Sequence, residues 1–350
     1  MLDVSLEGIS AGILRDVTVT FPRIAHTAIT GPPASGASTL LGVIAGRIRP
    51  RSGTVRIGAH DVTHMRGARR PLLYVTSRID TPHRWSVQHV LIAALRTRNF
   101  DRDDRLREYR LVAEKWKLTP IARRPLRTLS STEQTIVHLA RIELLRPAIL
   151  VADRLLERAN PSVLFDLADE FFRSLRVIGT TTISAPASAA ELGLTDRVVV
   201  LEEGSIVQEG PWPEVYRHPR SAGAGGEINV IPVTIRGGVV ESPIGSWTLP
   251  HPLFEGAGTA LVRPEDFHVA APGEESDLIF GIEEASFREG HWLATGILAD
   301  RTLLRVWLDG DFAVAKGRLL PLRFDPQRVT ILQGTVRPLQ LPPWFGISLG

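Results

Sequence analysis

Apolar and polar positions alternate from Ile13 to Phe21 (Ile-Leu-Arg-Asp-Val-Thr-Val-Thr-Phe), the two-residue period of a strand with one buried face. His26–Thr30 predicts a short apolar strand that runs into a Gly/Pro/Ser loop, Gly31–Gly36, and Ser38–Ile48 then takes helical spacing. Arg51–Gly58 predicts a turn followed by a strand. Residues 86–118 predict amphipathic helix, interrupted around Asn99–Asp104, and Thr132–Leu145 predicts another helix that Pro147 stops. Ala148–Ala152, Val177–Ile183 and Arg197–Leu201 predict apolar strands. Strands alternating with helices predict an α/β layer architecture over the first two thirds.

Past Tyr216 the pattern changes. Pro219–Gly226 is rich in Pro, Ser, Ala and Gly and predicts a linker. From Asn229 onward short strand-like runs are separated by turn signals at Gly237-Gly238, Pro243-Ile-Gly245, Pro272-Gly273, Glu289-Gly290 and Asp309-Gly310. That spacing predicts a small all-β domain. The boundaries expected are a first domain over 1–218 with a helical insert over about 85–127, a linker over 219–228, a β domain over 229–337 and a loosely attached tail over 338–350.

Composition narrows the function classes. The 350 residues are 43% hydrophobic and 23% charged, which excludes a disordered or collagen-like chain. No apolar run approaches the ~18 residues of a spanning helix, and Met1–Ser5 carries no basic-then-apolar leader pattern, so a cytoplasmic chain is expected. The absence of cysteine removes disulfides, thiol nucleophiles and thiolate metal sites. Net charge is 41 − 38 = +3, with no basic block interleaved with aromatics, so no nucleic-acid partner is expected. The ten histidines show no metal-ligand spacing, and the three lysines are Lys115, Lys117 and Lys316. The first 114 residues therefore contain no lysine.

That gap bears on Gly31-Pro-Pro-Ala-Ser-Gly-Ala-Ser-Thr39, which lies between a strand and a helix. A phosphate loop needs that context, because successive backbone N–H groups and a helix N-terminus converge on an anion there. Gly31, Gly36, Ser38 and Thr39 fit the pattern G-x-x-x-x-G-K-[ST]; Ala37 stands where the lysine belongs. By itself the segment also fits a plain strand–turn–helix junction.

Other segments separate the two readings. Leu129-Ser130-Ser131-Thr132-Glu133-Gln134 resembles the LSGGQ signature of ATP-binding-cassette ATPases, and Ile149–Asp153 resembles their Walker B strand. Thr195–Pro219 is similar to the end of that domain in import-type members. Glu227-Ile-Asn229, Val262-Arg263-Pro264-Glu265 and Phe324-Asp325-Pro326 resemble the accessory OB-like TOBE domain that follows it. The fold this resemblance implies is a P-loop α/β ABC ATPase domain with a helical insert, then a small all-β domain. It also implies nucleotide contacts from Gly31, Ser35, Gly36, Ser38, Thr39 and Asp153, with Ser38 and Asp153 holding magnesium beside ATP.

The resemblance makes the departures informative. Thr76 takes the Q-loop glutamine position, Arg154 that of the general-base glutamate, and Ala185 or Pro186 that of the switch histidine; Asn160 aligns with the D-loop aspartate. Residues 31–86 contain no glutamine and residues 139–217 no histidine, so no shift of register restores them. General acid–base groups each contribute about 10²–10⁴ in rate, and none is left in place. Ile9–Gly12 offers no aromatic for the adenine. In the signature, Thr132 adds bulk where glycine is usual, and Glu133 either brings negative charge toward a phosphate or serves as a helix-start residue. A pseudo-ATPase is expected, paired with a second ABC ATPase subunit (a second copy or a different chain) and coupled through its insert to transmembrane permease subunits. A periplasmic or extracellular substrate-binding protein is expected to act indirectly, with the chain peripheral on the inner membrane face. An ATPase using unfamiliar groups and a soluble regulator sensing a small molecule through the β domain are the alternatives.

Overall fold

A hairpin of β1 (Val4–Ala11) and β2 (Leu14–Phe21) opens the chain in a computed structural model that describes residues 2–334 except 98–99, 222, 250–253, 272, 289 and 299–301. The tail expected over 338–350 lies outside the described residues. The chain divides into two compact units, Met1–Val215 and Tyr216–Gly350.

In the first unit β3 (His26–Thr30) leads through the Gly/Pro/Ser loop into α1 (Ala37–Ile44). β4 (Ser52–Ile57) and β5 (His60–Asp61) complete an antiparallel sheet of order β2-β1-β4-β5. β6 (Leu73–Thr76) precedes two helices, α2 (Val87–Leu95) and α3 (Arg102–Lys115), which fall within residues 85–127. α4 (Ser131–Leu145), β7 (Ile149–Asp153), α5 (Pro161–Val177), β8 (Thr181–Ala185), β9 (Arg197–Glu202) and β10 (Ser205–Gly210) follow. The second sheet has the order β10-β9-β3-β8-β7-β6, parallel from β9 through β6, with β10 antiparallel on its edge. β3, β7 and β8 are buried almost throughout, as a sheet covered on both faces requires.

Two expected elements end elsewhere. α1 stops at Ile44 rather than Ile48, because Gly46 turns the chain at φ +66° and the Arg70 guanidinium donates to the carbonyls of Val43 (2.7 Å) and Ile44 (2.6 Å). That buried cation satisfies carbonyls a helix end leaves open. The strand expected from Val177 begins at Thr181, since α5 runs to Val177 and Gly179 reverses the chain at φ +79°.

The insert packs inward. Val87, Val90, Leu91, Leu95, Val112 and Trp116 belong to one core with α4 and α5 residues such as Leu139 and Phe171. Lys115 Nζ reaches Glu143 at 3.0 Å and Glu170 at 3.1 Å, joining three helices. Val90 and Leu91 are fully buried, so the apolar stripe of α2 is core, and only its outer positions, such as His89, face solvent.

In the second unit, every element beyond Gly226 is a strand or a single 3₁₀ turn among the described residues. Gly245–Thr248, Val239–Ser242, Asn229–Arg236, Gly256–Val262 and Thr330–Gln333 form a five-stranded sheet in that order, beside two three-stranded sheets. Ile231, Val240, Trp247, Phe267, Phe280 and Leu322 lie in its core. Arg263 is 6% exposed; its guanidinium donates to the carbonyls of Tyr216 (3.0 Å), Gly225 (2.8 Å) and Glu227 (3.1 Å) and stacks over the Tyr216 ring at 3.9 Å. The expected linker is thus bonded to this unit rather than free of it. Among the described residues no helix is long and apolar enough to cross a membrane.

Glu191 generates a pH prediction. It is 3% exposed and accepts from the N–H groups of Ala187 (2.8 Å) and Ser188 (3.0 Å), which fixes the turn after β8. Burial raises its pKa to about 7 against the opposing pull of those two donors. Because the folded value exceeds the unfolded one, the stability tied to its protonation is full below the ordinary carboxylate range and is lost as pH rises through about 7. Glu191→Gln keeps an acceptor oxygen without the charge. It is expected to be more stable than the native chain by about 1–3 kcal/mol at pH 8 and equal to it at pH 4, read by urea unfolding. A gap that persists unchanged at both pH values would rule this out.

Candidate functional site

β3 ends at Thr30, and the loop that follows is shaped by close backbone packing. A Cβ at Gly31 would meet the Leu201 carbonyl oxygen at 2.0 Å and Ser35 Cβ at 2.8 Å, so only glycine fits. Ala34 lies in the left-handed region at φ +66°, which explains why glycine suits that position, and Gly36 follows at φ +109°. Ser35 is buried, donates its N–H to the Pro32 carbonyl at 3.0 Å and accepts from Gly204 N–H at 3.1 Å. α1 then begins with no capping side chain and no acidic residue in its first turn, leaving its N-terminal amides and dipole directed at the loop.

The loop lines a cavity of about 630 Å³. Gly31, Ser35, Gly36, Ala37, Ser38 and Thr39 form one side; Arg154, Ala185, Pro186 and Ala187 form another, and Ile13 contributes from the β1–β2 hairpin. The structure therefore brings five of the six expected nucleotide contacts, all but Asp153, to one cavity with three of the substituted positions, Ala37, Arg154 and Ala185. Among these lining side chains the sole ionisable group is Arg154.

Asp153 stands behind the loop, at the end of β7. Ser38 Oγ donates to its Oδ1 at 3.0 Å, and the Tyr74 hydroxyl donates to its Oδ2 at 3.2 Å. Burial, then the Asp153 charge, pushes the Tyr74 phenol up to about 12, so it remains a donor; the Arg47 guanidinium lies over its ring at 4.8 Å. A hydroxyl and a carboxylate 3.0 Å apart fit magnesium, which takes few protein oxygens and keeps several waters. No cluster of three or more acidic or histidine ligands exists among the described residues. Thr76 pairs with Asp153 across the β6–β7 register, one strand away from the cavity wall.

Arg154 follows in the left-handed conformation, φ +50°, fixed by its N–H donating to the Ala185 carbonyl at 2.9 Å. Its guanidinium pairs with Glu157 Oε1 at 2.8 Å on the protein surface.

The segment Leu129–Glu133 lies outside the cavity lining and begins α4. Ser130 caps the helix: Glu133 N–H donates to Ser130 Oγ at 3.2 Å, while Ser130 N–H donates to Glu133 Oε2 at 2.7 Å. This reciprocal capping box gives Glu133 a helix-start role. The backbone donor and the Arg124 guanidinium, 3.1 Å from Oε1, hold its carboxyl below the usual range. Ser131 opens the helix beside it, and Thr132 Oγ1 accepts from the Asn160 N–H at 3.0 Å, tying the start of α4 to the start of α5. Leu129, buried, anchors the segment in the helical core.

Ile13 and Tyr74 were not evident as site residues from sequence. Each meets its partner only through folding, Tyr74 across 79 positions of chain. Their local patterns are those of ordinary strand and turn positions.

Comparison with known proteins gives this geometry a family. The ABC transporter family model matches residues 14–155. The molybdate/tungstate import ATP-binding protein of Thermococcus kodakarensis is 31% identical over 221 residues, covering 62% of this chain and 67% of that protein. The Fe(3+) ions import ATP-binding protein of Streptomyces avermitilis is 31% identical over 250 residues, covering 69% and 71%. The spermidine/putrescine import ATP-binding protein of Marinobacter nauticus is 29% identical over 279 residues, covering 74% of each. Among solved structures, a nucleotide-free ATP-binding cassette from an ABC transporter superposes with a TM-score of 0.53 at 21% identity, covering 63% of this chain and 97% of its own; this likeness speaks for the fold. A phosphate loop, its paired serine and aspartate, and relatives matched over most of their length agree: the chain belongs to the ABC transporter family, among the ATP-binding subunits of import systems.

Proposed function

We propose that this chain is a catalytically impaired ATP-binding subunit, a pseudo-ATPase, that pairs with an intact ATPase chain beneath the permease subunits of an importer. The observation that carries this reading is the wall of the phosphate-loop cavity. Where hydrolysis needs a base and a proton carrier, it presents Arg154, Ala185, Pro186 and Ala187, and no carboxylate or imidazole is among its lining side chains. A guanidinium does not lose its proton at any working pH and cannot activate water.

The frame for assembly is retained. Ser130 and the N-terminus of α4 still form a surface that meets a partner's γ-phosphate in the composite site the family uses. Glu133 opposes this less than its charge alone suggests, since Arg124 and the Ser130 N–H neutralise part of it. ATP and magnesium are expected to bind weakly at this chain's own loop, through Ser38 and Asp153. Tyr216–Gly334 is proposed as the TOBE-like accessory domain. The relatives' names include oxyanions, a metal cation and polyamines. Cargo choice then resides in the permeases and a substrate-binding protein outside the membrane, while this subunit works on the cytoplasmic face.

Two experiments test the reading. Affinity purification of the full chain from its native cell is expected to bring down permease chains and a second ATPase that has the phosphate-loop lysine and the general-base glutamate. In that complex Ser130→Arg is expected to remove ATP turnover by blocking closure on the partner's nucleotide. A turnover indifferent to Ser130→Arg, or a complex containing this chain as its one ATPase-type subunit, would refute the pairing.

Docking is tested on the exposed corner at the start of α2. Arg84→Glu with His89→Glu is expected to lower permease recovery several-fold while thermal melting stays unchanged, because both side chains face solvent. Val90→Glu would instead unfold the insert, since Val90 is fully buried. Full permease recovery with the Arg84/His89 variant would place the contact elsewhere.

A further inference from the structure

We propose that Arg154 is the phosphate-binding cation of this chain's own nucleotide pocket, a role that rests on the pocket reading above. Ala37 leaves the phosphate loop without a positive side chain, and the first 114 residues supply no lysine that folding brings back. Of the residues lining the cavity, Arg154 alone is charged. It is held at that wall by its backbone: the left-handed φ of +50° and the 2.9 Å bond from its N–H to the Ala185 carbonyl fix where the side chain starts. It also directly follows Asp153, whose carboxylate accepts from Ser38 at 3.0 Å. Arg154 lines the same cavity as Ala37, Ser38 and Thr39 of the first turn of α1, whose uncapped amides are where phosphate charge collects.

The guanidinium suits the task. Its planar fork bonds two phosphate oxygens at once, and it is more weakly hydrated than an ammonium. Its present partner is Glu157, at 2.8 Å with both side chains about half exposed, 55% and 46%. Such surface pairs contribute little, so a polyphosphate displaces Glu157 readily. The ligand class is a nucleoside di- or triphosphate, recognised through its terminal phosphates. The exchange converts a position that activates water into one that neutralises phosphate, so the pocket holds nucleotide without cleaving it. Glu157 acts as the resident competitor for the guanidinium.

Isothermal titration of the full chain tests this, with ATP as one probe and inorganic tripolyphosphate as the other, each with and without magnesium. Loss of the charge-assisted bonds in Arg154→Ala is expected to weaken both probes about tenfold or more. Arg154→Gln is expected to do the same, Arg154→Lys to recover part of the loss, and Glu157→Gln to leave binding equal or several-fold tighter. Unchanged melting temperatures establish that the variants are folded. Native-like binding in both Arg154→Ala and Arg154→Gln overturns the proposal, as does a native chain that binds neither probe at millimolar concentration. Hydrolysis of the ATP by the isolated chain is a separate outcome: it defeats the pseudo-ATPase reading, whereas binding indifferent to Arg154 defeats this role alone.

Discussion

No side chain fits at Gly31. Its α-carbon lies so close to the Leu201 carbonyl and Ser35 that a single methyl would overlap both, and Gly204 approaches Ile13 in the same way. The loop between β3 and α1 is therefore shaped by backbone packing against β9 and the β1–β2 hairpin. A lysine at position 37 would reach into the cavity and contribute nothing to that packing. Its replacement by alanine thus removes charge from the pocket and leaves the loop's path intact. The same argument applies to Ser38 and Asp153, whose 3.0 Å bond ties α1 to the parallel sheet whether or not a metal lies between them.

Hydrolytic groups are in a different position, because nothing structural retains them. At position 154 the fold asks for a residue that tolerates φ +50° and offers an N–H to Ala185; any side chain that accepts that strain serves. At position 185 it asks for a buried small residue at the end of β8. Where a signature position does have a structural task, the substituted residue performs it. Glu133 closes a capping box, worth about 1 kcal/mol to a helix start, and the Thr132 hydroxyl takes up the Asn160 N–H. On the proposed reading, the chain keeps what packing and capping require and lacks what only chemistry requires.

Much of this could be seen in the residues themselves. The strand–loop–helix around Gly31, the helix from Ser131 and the strand ending at Asp153 follow from local periodicity and punctuation, and the motif order pointed to the family. What escaped depends on contacts distant in sequence. α1 ends early because Arg70, some 25 residues on, bonds its last carbonyls. α2 reads as an amphipathic surface helix, yet its apolar stripe is consumed by α4 and α5. The Val262–Glu265 motif was visible, but its reason was not: Arg263 collects carbonyls from Tyr216, Gly225 and Glu227 and so binds the expected linker. Tyr74 and Ile13 carry no local sign of the site that folding gives them.

The central claim, a phosphate-loop frame without hydrolytic groups, is tested most directly by single-turnover chemistry on the isolated chain. Purified protein in excess over γ-³²P-labelled ATP and magnesium is mixed, quenched at intervals from seconds to hours, and assayed for released phosphate. The account predicts release no faster than in buffer. Phosphate release well above that level, abolished by Asp153→Asn, would contradict it.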